Sequence, residues 1–154
     1  MDEAQTPEIG FYQLKQWPLE RALPRLLERA AVAGMRALVR CGSKARVDSL
    51  NALLWTYDPA SFLVHGGPDD GDATGQPIYL TSEDGNPNEA SVLILVDGLD
   101  ADDLGTFERC LDIFDGNDDD ALAAARARWK TRLDAGYALT YWAQTDQGRW
   151  QKQG

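Results

Sequence analysis

Apolar positions recur along this chain in two alternating rhythms. Glu8–Leu14 (EIGFYQL) is rich in aromatics and ends in polar residues, and it predicts a first strand. From Leu19, apolar residues return at Ala22, Leu23, Leu26, Leu27, Ala30 and Ala31, the spacing of one helix face. Pro18 opens that helix, where a missing N–H costs little, and Gly34 ends it. Residues 36–41 (RALVRC) predict a second strand. Residues 46–55 predict a second helix, with Val47, Leu50, Leu53 and Leu54 on its apolar side, and Pro59 ends the region. Residues 61–65 (SFLVH) are a short apolar run that could form a strand, and 66–76 are an acidic, Gly-rich loop. Strands are predicted at 77–81 and most clearly at 91–96 (SVLILV), which is apolar on both faces and so suits the middle of a covered sheet. A short helix is expected over 102–108, and 109–114 reads either as a strand or as its continuation. Asp118, Asp119 and Asp120 cap a long helix running to about Asp134, closed by Gly136. Residues 137–144 form a last strand, and Trp150 is left in a polar tail.

Alternating strands and helices predict one three-layer, Rossmann-like α/β domain over 1–154 with a mainly parallel sheet. At 154 residues the chain can bury a core without a metal or disulfide staple. No apolar run approaches the roughly 20 residues of a membrane span, and the acidic N-terminus has no apolar signal segment. The expectation is a cytoplasmic protein with no membrane contact. Cys41 and Cys110 have no CxxC partner and read as small core residues.

The net charge of −10 is unevenly spread. Residues 66–120 hold 16 acidic side chains and one basic one, Arg109, whereas 121–154 hold 6 basic and 2 acidic. Such a chain is poorly suited to naked nucleic acid, so no direct nucleic-acid binding is expected. The C-terminal basic island could instead attract a short acidic partner.

Sites for chemistry fail on inspection. There is no GxGxxG and no GxxxxGK[ST]; Gly42-Ser43-Lys44 follows a strand and opens a helix, but Ala37 stands where the leading glycine of a phosphate loop belongs. Asp115-x-Asn117-x-Asp119 starts like a calcium loop, yet its sixth and twelfth positions are Asp120 and Arg126. His65 is the only histidine, and no GxSxG elbow accompanies it. No catalytic residue, metal or cofactor is therefore expected. A small α/β hydrolase or nucleotide-binding domain using His65 or the 42–44 turn is the alternative, and an acidic mimic of nucleic acid a third.

One feature is left. On the last helix, Leu122, Ala125, Trp129 and Leu133 make an apolar stripe. Arg126 and Lys130 border it on one side, and Arg128 and Arg132 lie toward the other. Each is an i,i+4 pair of like charges, which weakens a helix unless an anion comes from outside. The pattern reads either as a solvated basic face or as a docking site for an acidic peptide.

With these residues in place, the chain resembles the chi subunit of the bacterial DNA polymerase III holoenzyme over nearly its whole length. The resemblance rests on Phe11-Tyr12-Gln13-Leu14, on 52–55 (ALLW), on 60–65 (ASFLVH) with its glycine-rich loop and Pro77, and on 125–137 (ARARWKTRLDAGY). It implies a non-enzymatic replication adaptor with an α/β fold and no nucleotide site. The implied partners are the acidic C-terminal tail of single-stranded-DNA-binding protein and the psi subunit, which links to the clamp loader. A helicase-like protein is a further implied partner. By motif match the tail falls to Arg126, with Arg128, Trp129, Lys130 and Arg132 around it, and psi to Trp55 and Phe62, each of which reads equally as core. A basic position of some relatives is Leu122 here, and Arg132 stands where the family often has an aromatic.

Overall fold

The computed structural model describes residues 7–56, 65–68 and 73–153. Strands β1 (Glu8–Leu14), β2 (Ala37–Arg40), β3 (His65–Gly66), β4 (Ile78–Thr81), β5 (Val92–Leu95), β6 (Arg109–Asp115), β7 (Ala138–Gln144) and β8 (Trp150–Lys152) form one sheet in the order β3-β4-β2-β5-β6-β1-β7-β8. All pairings are parallel except the antiparallel β7–β8 hairpin at one edge. The α/β class with a mainly parallel sheet is as expected. The segment over 109–114 is strand, and the helix expected over 102–108 shrinks to one 3-10 turn at Leu104–Thr106. Trp150 does not lie in a tail: it begins β8.

Alternation along each strand sorts the core into two layers. On one face, Leu14, Val39, Leu80, Ile94, Leu111 and Ile113 pack against α1 (Leu19–Val32) and α2 (Lys44–Thr56). On the other, Ile9, Phe11, Leu38, Leu93, Leu95, Cys110 and Phe114 pack against Ala125 of α3 (Asp119–Asp134) and against Leu104 and Phe107. The central strands β2, β4 and β5 are buried at every position, which explains the apolar runs that β2 and β4 break only at their last residues, Arg40 and Thr81.

The ends of α3 follow their residues. Asp118 is the N-cap, its carboxylate accepting from the N–H groups of Asp120 and Ala121 at 2.9 and 3.2 Å. Gly136, at φ 93°, takes the left-handed conformation that ends the helix, and the Tyr137 N–H returns to the Arg132 carbonyl.

The β7–β8 hairpin is fastened to the loop before α1. The buried Gln144 side-chain oxygen accepts from the N–H groups of Lys15, Gln16 and Trp17 at 3.1, 3.0 and 2.8 Å. At the turn, Gly148 has φ 79°, and a Cβ there would come within 2.3 Å of the Trp17 ring. Gly148→Ala therefore meets both backbone strain and a clash. We expect it to lower the unfolding free energy by about 1–3 kcal/mol and to shift the tryptophan emission of the native state, as read by denaturant melts followed by fluorescence.

Candidate functional site

A parallel sheet of this kind offers one ready crevice, beyond the carboxyl ends of adjacent strands whose following helices go to opposite faces. Here those strands are β1, followed by α1, and β6, followed by α3. A cavity of about 840 Å³ lies there, lined by Trp17, Glu20, Arg46, Asp97, Asp115, Asp118 and Asp120 among others. Its anion-binding positions are already filled by the protein's own carboxylates. Asp97 accepts from the Gly42 N–H at 2.9 Å, at the start of α2, and also pairs with Arg46 at 3.1 Å. Asp97 holds this pose from the left-handed region, at φ 59°. Asp118 occupies the corresponding amides of α3. A phosphate would meet carboxylates at both helix ends. The Gly42–Lys44 turn is thus a helix start closed by Asp97.

The other candidate groups are buried. Cys41 and Cys110 are unpaired, and burial pushes both thiols up to about 12, far from a reactive thiolate. His65 is 3% exposed; its Nε2 lies 3.2 Å from the Asn51 carbonyl, and its ring packs at 4.4 Å against Trp55. Among the described residues, no group of three His, Cys, Asp or Glu gathers to hold a metal, and no helix is long and apolar enough to cross a membrane.

The basic helix α3 differs from its expected form. Leu122, Ala125 and Trp129 pack against the core as the stripe requires, but burial continues through Arg128 and Arg132, while Leu133 is 53% exposed. The cause lies on β6. Asp112 points into the α3 face with 1% exposure and must be compensated there. Arg128 forks onto both its oxygens at 2.7 and 3.0 Å. Arg132 donates to Asp112 at 2.9 Å and to Asp100 at 2.9 Å, and lies 5.0 Å over the Phe11 ring. Arg128 and Arg132 are therefore not open rim cations; they are internal counter-charges. Arg126 and Lys130 remain exposed. Trp129 is half-buried, edge-on to Phe11 at 5.2 Å and to Tyr141 at 5.8 Å. Burial raises the Tyr141 phenol above its ordinary value, against the pull of the nearby Arg126.

At the far sheet edge, Trp55 ends α2 with 59% of its surface exposed, beside the edge strand β3. Trp55 is thus a surface aromatic and not a core one. Phe62 lies outside the described residues.

Residues 7–140 match the family model described as DNA polymerase III chi subunit, HolC. The chain belongs to the DNA polymerase III chi subunit family. It is 31% identical over 93 residues, 60% of its length, to a probable DNA polymerase III subunit chi of Rickettsia prowazekii (strain Madrid E). That alignment spans 56% of the relative's own length. The C-terminal domain of the DEAD-box protein Dbp5 shares the fold, with a TM-score of 0.56 over 90% of this chain and 92% of that one at 11% identity.

In this chi-family chain, sequence patterning missed Asp112, Asp100 and Gln144 as the side chains that hold α3 and the hairpin. A lone aspartate inside the apolar strand RCLDIF was the available signal. Burial alone would raise the Asp100 carboxyl, but the Arg132 hydrogen bond, the Ala101 N–H and the charges of Arg132 and Arg128 hold it below the ordinary value. Asp103 is held low by its hydrogen bonds to Arg40, against a smaller burial effect. Carboxylates with lowered native pKa add stability in full above their unfolded value, about 3.9, and lose it as pH falls through the lower native one. Urea midpoints should therefore drop as pH falls below about 4, and less steeply in Asp100→Asn. Asp112→Asn should cost roughly 3–5 kcal/mol at pH 7, because it leaves the buried Arg128 without its anion and Arg132 with Asp100 alone.

Proposed function

We propose that this protein is a non-catalytic adaptor of DNA replication that binds the acidic C-terminal tail of single-stranded-DNA-binding protein and, through psi, connects it to the clamp loader. The observation that carries this reading is the outer face of α3: Arg126 and Lys130 are exposed one turn apart, beside the half-buried Trp129 and the exposed Leu133. An acidic tail with an apolar end suits that combination, its carboxylates meeting the cations and its side chain the greasy patch. Arg128 and Arg132 support the tail site from within by fixing how α3 is turned. Membership of the chi family, the crevice filled by Asp97 and Asp118, and the buried thiols all favour an adaptor over the hydrolase or nucleotide-binding alternative. The proposed site of action is the cytoplasm, away from any membrane, and a helicase-like protein is a further proposed partner.

Psi is proposed to dock at the β3 edge on Trp55, with Phe62 as the second contact that the family resemblance implies. Exposed tryptophans commonly anchor interfaces. Trp55 rests on His65 with little of its area in the core, so Trp55→Ala should leave the protein folded and weaken psi capture at least tenfold in pull-down and calorimetry. A folded variant that still holds psi would remove this surface from consideration.

For α3, a peptide copying the acidic tail is titrated by calorimetry into Arg126→Ala and into a control on another helix, Lys44→Ala. Loss of an exposed charge pair is worth about 1 kcal/mol, roughly fivefold in affinity, and only Arg126→Ala should show it. Binding should weaken as salt rises, because exposed charges are screened over about 8 Å at physiological ionic strength. Equal affinity in the two variants would show that α3 is only a solvated face.

A further inference from the structure

In a chain of net charge −10, five cations stand together without an ion pair among the described residues. Arg21, Arg25 and Arg29 follow one another at i, i+4 and i+8 on the exposed face of α1. Arg149 and Lys152 are exposed on the β7–β8 hairpin that is fastened beside it. Like charges one turn apart disfavour a helix, and the one carboxylate of α1 that shares their groove, Glu28, leaves them in excess. By contrast, the neighbouring Arg46, Lys15 and Arg109 all have acidic partners.

Between α1 and the hairpin lies a groove of about 520 Å³ whose charged lining is Arg25, Arg29 and Arg149 with one carboxylate, Glu28, beside Trp17, Val32 and Trp150. It is a built feature. Gln144 pins the backbone of Trp17 with three hydrogen bonds in the 15–17 loop, Gly148 abuts the Trp17 ring, and Trp150 meets Tyr12 edge-on at 5.1 Å. Val32, at the end of α1, is 90% exposed. Arg149 and Trp150, the hairpin wall of the groove, lie beyond residue 140, where the chi-family match ends.

We propose that this groove is a second docking site, for an acidic peptide segment of a protein partner. Its carboxylates would sit on Arg25, Arg29 and Arg149, and one large apolar side chain would lie against Trp150 and Val32. Arginine forks donate two hydrogen bonds to a carboxylate, and the groove's excess of positive charge, three arginines against Glu28, is what such a segment would balance. Single-stranded nucleic acid fits less well. It needs open ring faces, whereas Arg21 lies 4.0 Å over Trp17 and Trp142 stacks on Tyr12. A long polyanion would also run onto an acidic surface, which a short segment avoids.

The test uses the full-length protein and a fluorescein-labelled peptide of eight aspartates and glutamates around one phenylalanine, read by anisotropy. The double variant Arg126→Glu, Lys130→Glu removes the α3 cations, and it should keep binding. Adding Arg25→Glu and Arg29→Glu should weaken binding at least tenfold, and Arg149→Glu alone, in a turn, should weaken it severalfold with unchanged circular dichroism. Peptide binding that survives all of these, or that is absent in the α3 double variant, would overturn the groove. So would an oligothymidine that binds the groove more tightly than the peptide. A concentration-dependent dimer lost with Arg25→Glu and Arg29→Glu would overturn it too, by making a second copy the occupant. The α3 proposal fails separately, through a tail peptide indifferent to Arg126.

Discussion

A carboxylate placed in the middle of a sheet strand and closed off from water has to be answered by cations, and Asp112 imposes that condition on this fold. Its two oxygens receive Arg128 and Arg132 from the helix that crosses above β6. Two guanidiniums four residues apart define one line along a helix, so pairing both of them fixes the rotation of α3. Arg126, Lys130 and Leu133 must then face outward. Arg132 extends the network to Asp100, and Arg40 grips Asp103 at 2.7 Å, so the segment after β5 is held over the sheet by ion pairs as well as by Leu104 and Phe107. The surface that α3 offers is a consequence of a charge that never reaches the surface.

Sequence periodicity reads the sheet well because its central strands are buried on both faces and carry apolar runs. The limits of α3 were legible from Asp118 and Gly136, whose chemistry sets helix ends locally. The rotation of α3 was legible only in part. Leu122, Ala125 and Trp129 of the apolar stripe do pack against the core, but burial then extends to Arg128 and Arg132 and leaves Leu133 outside, because Asp112, far off in sequence, pairs with both arginines. Hydrophobicity ranks arginine as an outward residue, which holds until a buried carboxylate is paired with it. Strand β8 escaped for a different reason: Trp150–Lys152 is short and polar, and its pairing with β7 is reinforced by Gln144 and Gly148 at a distance. Of the residues expected to meet psi, Trp55 is exposed near the end of α2, beside the edge strand β3.

Charge counted along the sequence misstates charge presented to a partner. The acidic block of 66–120 includes carboxylates with internal tasks: Asp97 closes α2, Asp100, Asp103 and Asp112 bind arginines, and Asp118 caps α3. The basic island of 121–154 is divided in the same way, with two arginines inside and Arg126, Lys130, Arg149 and Lys152 outside. What the surface keeps is two separate cationic outlets on opposite faces of the sheet, one on α3 and one along α1 and the hairpin.

The crevice between β1 and β6 shows why this architecture suits partners better than small ligands. In a doubly wound sheet, the amides at helix starts draw phosphate into that crevice. Here Asp97 and Asp118 have taken those amides, and Glu20, Asp115 and Asp120 add further negative charge around the opening. Reopening the crevice to an anion would require removing a carboxylate that also terminates a helix, so the closure is coupled to stability. With its inner site closed by its own side chains, the domain retains the outer faces of its helices and its two sheet edges. Those are convex or shallow surfaces of exposed charge and half-buried aromatic rings, and they match extended peptides and protein faces in shape and chemistry better than they match a small molecule.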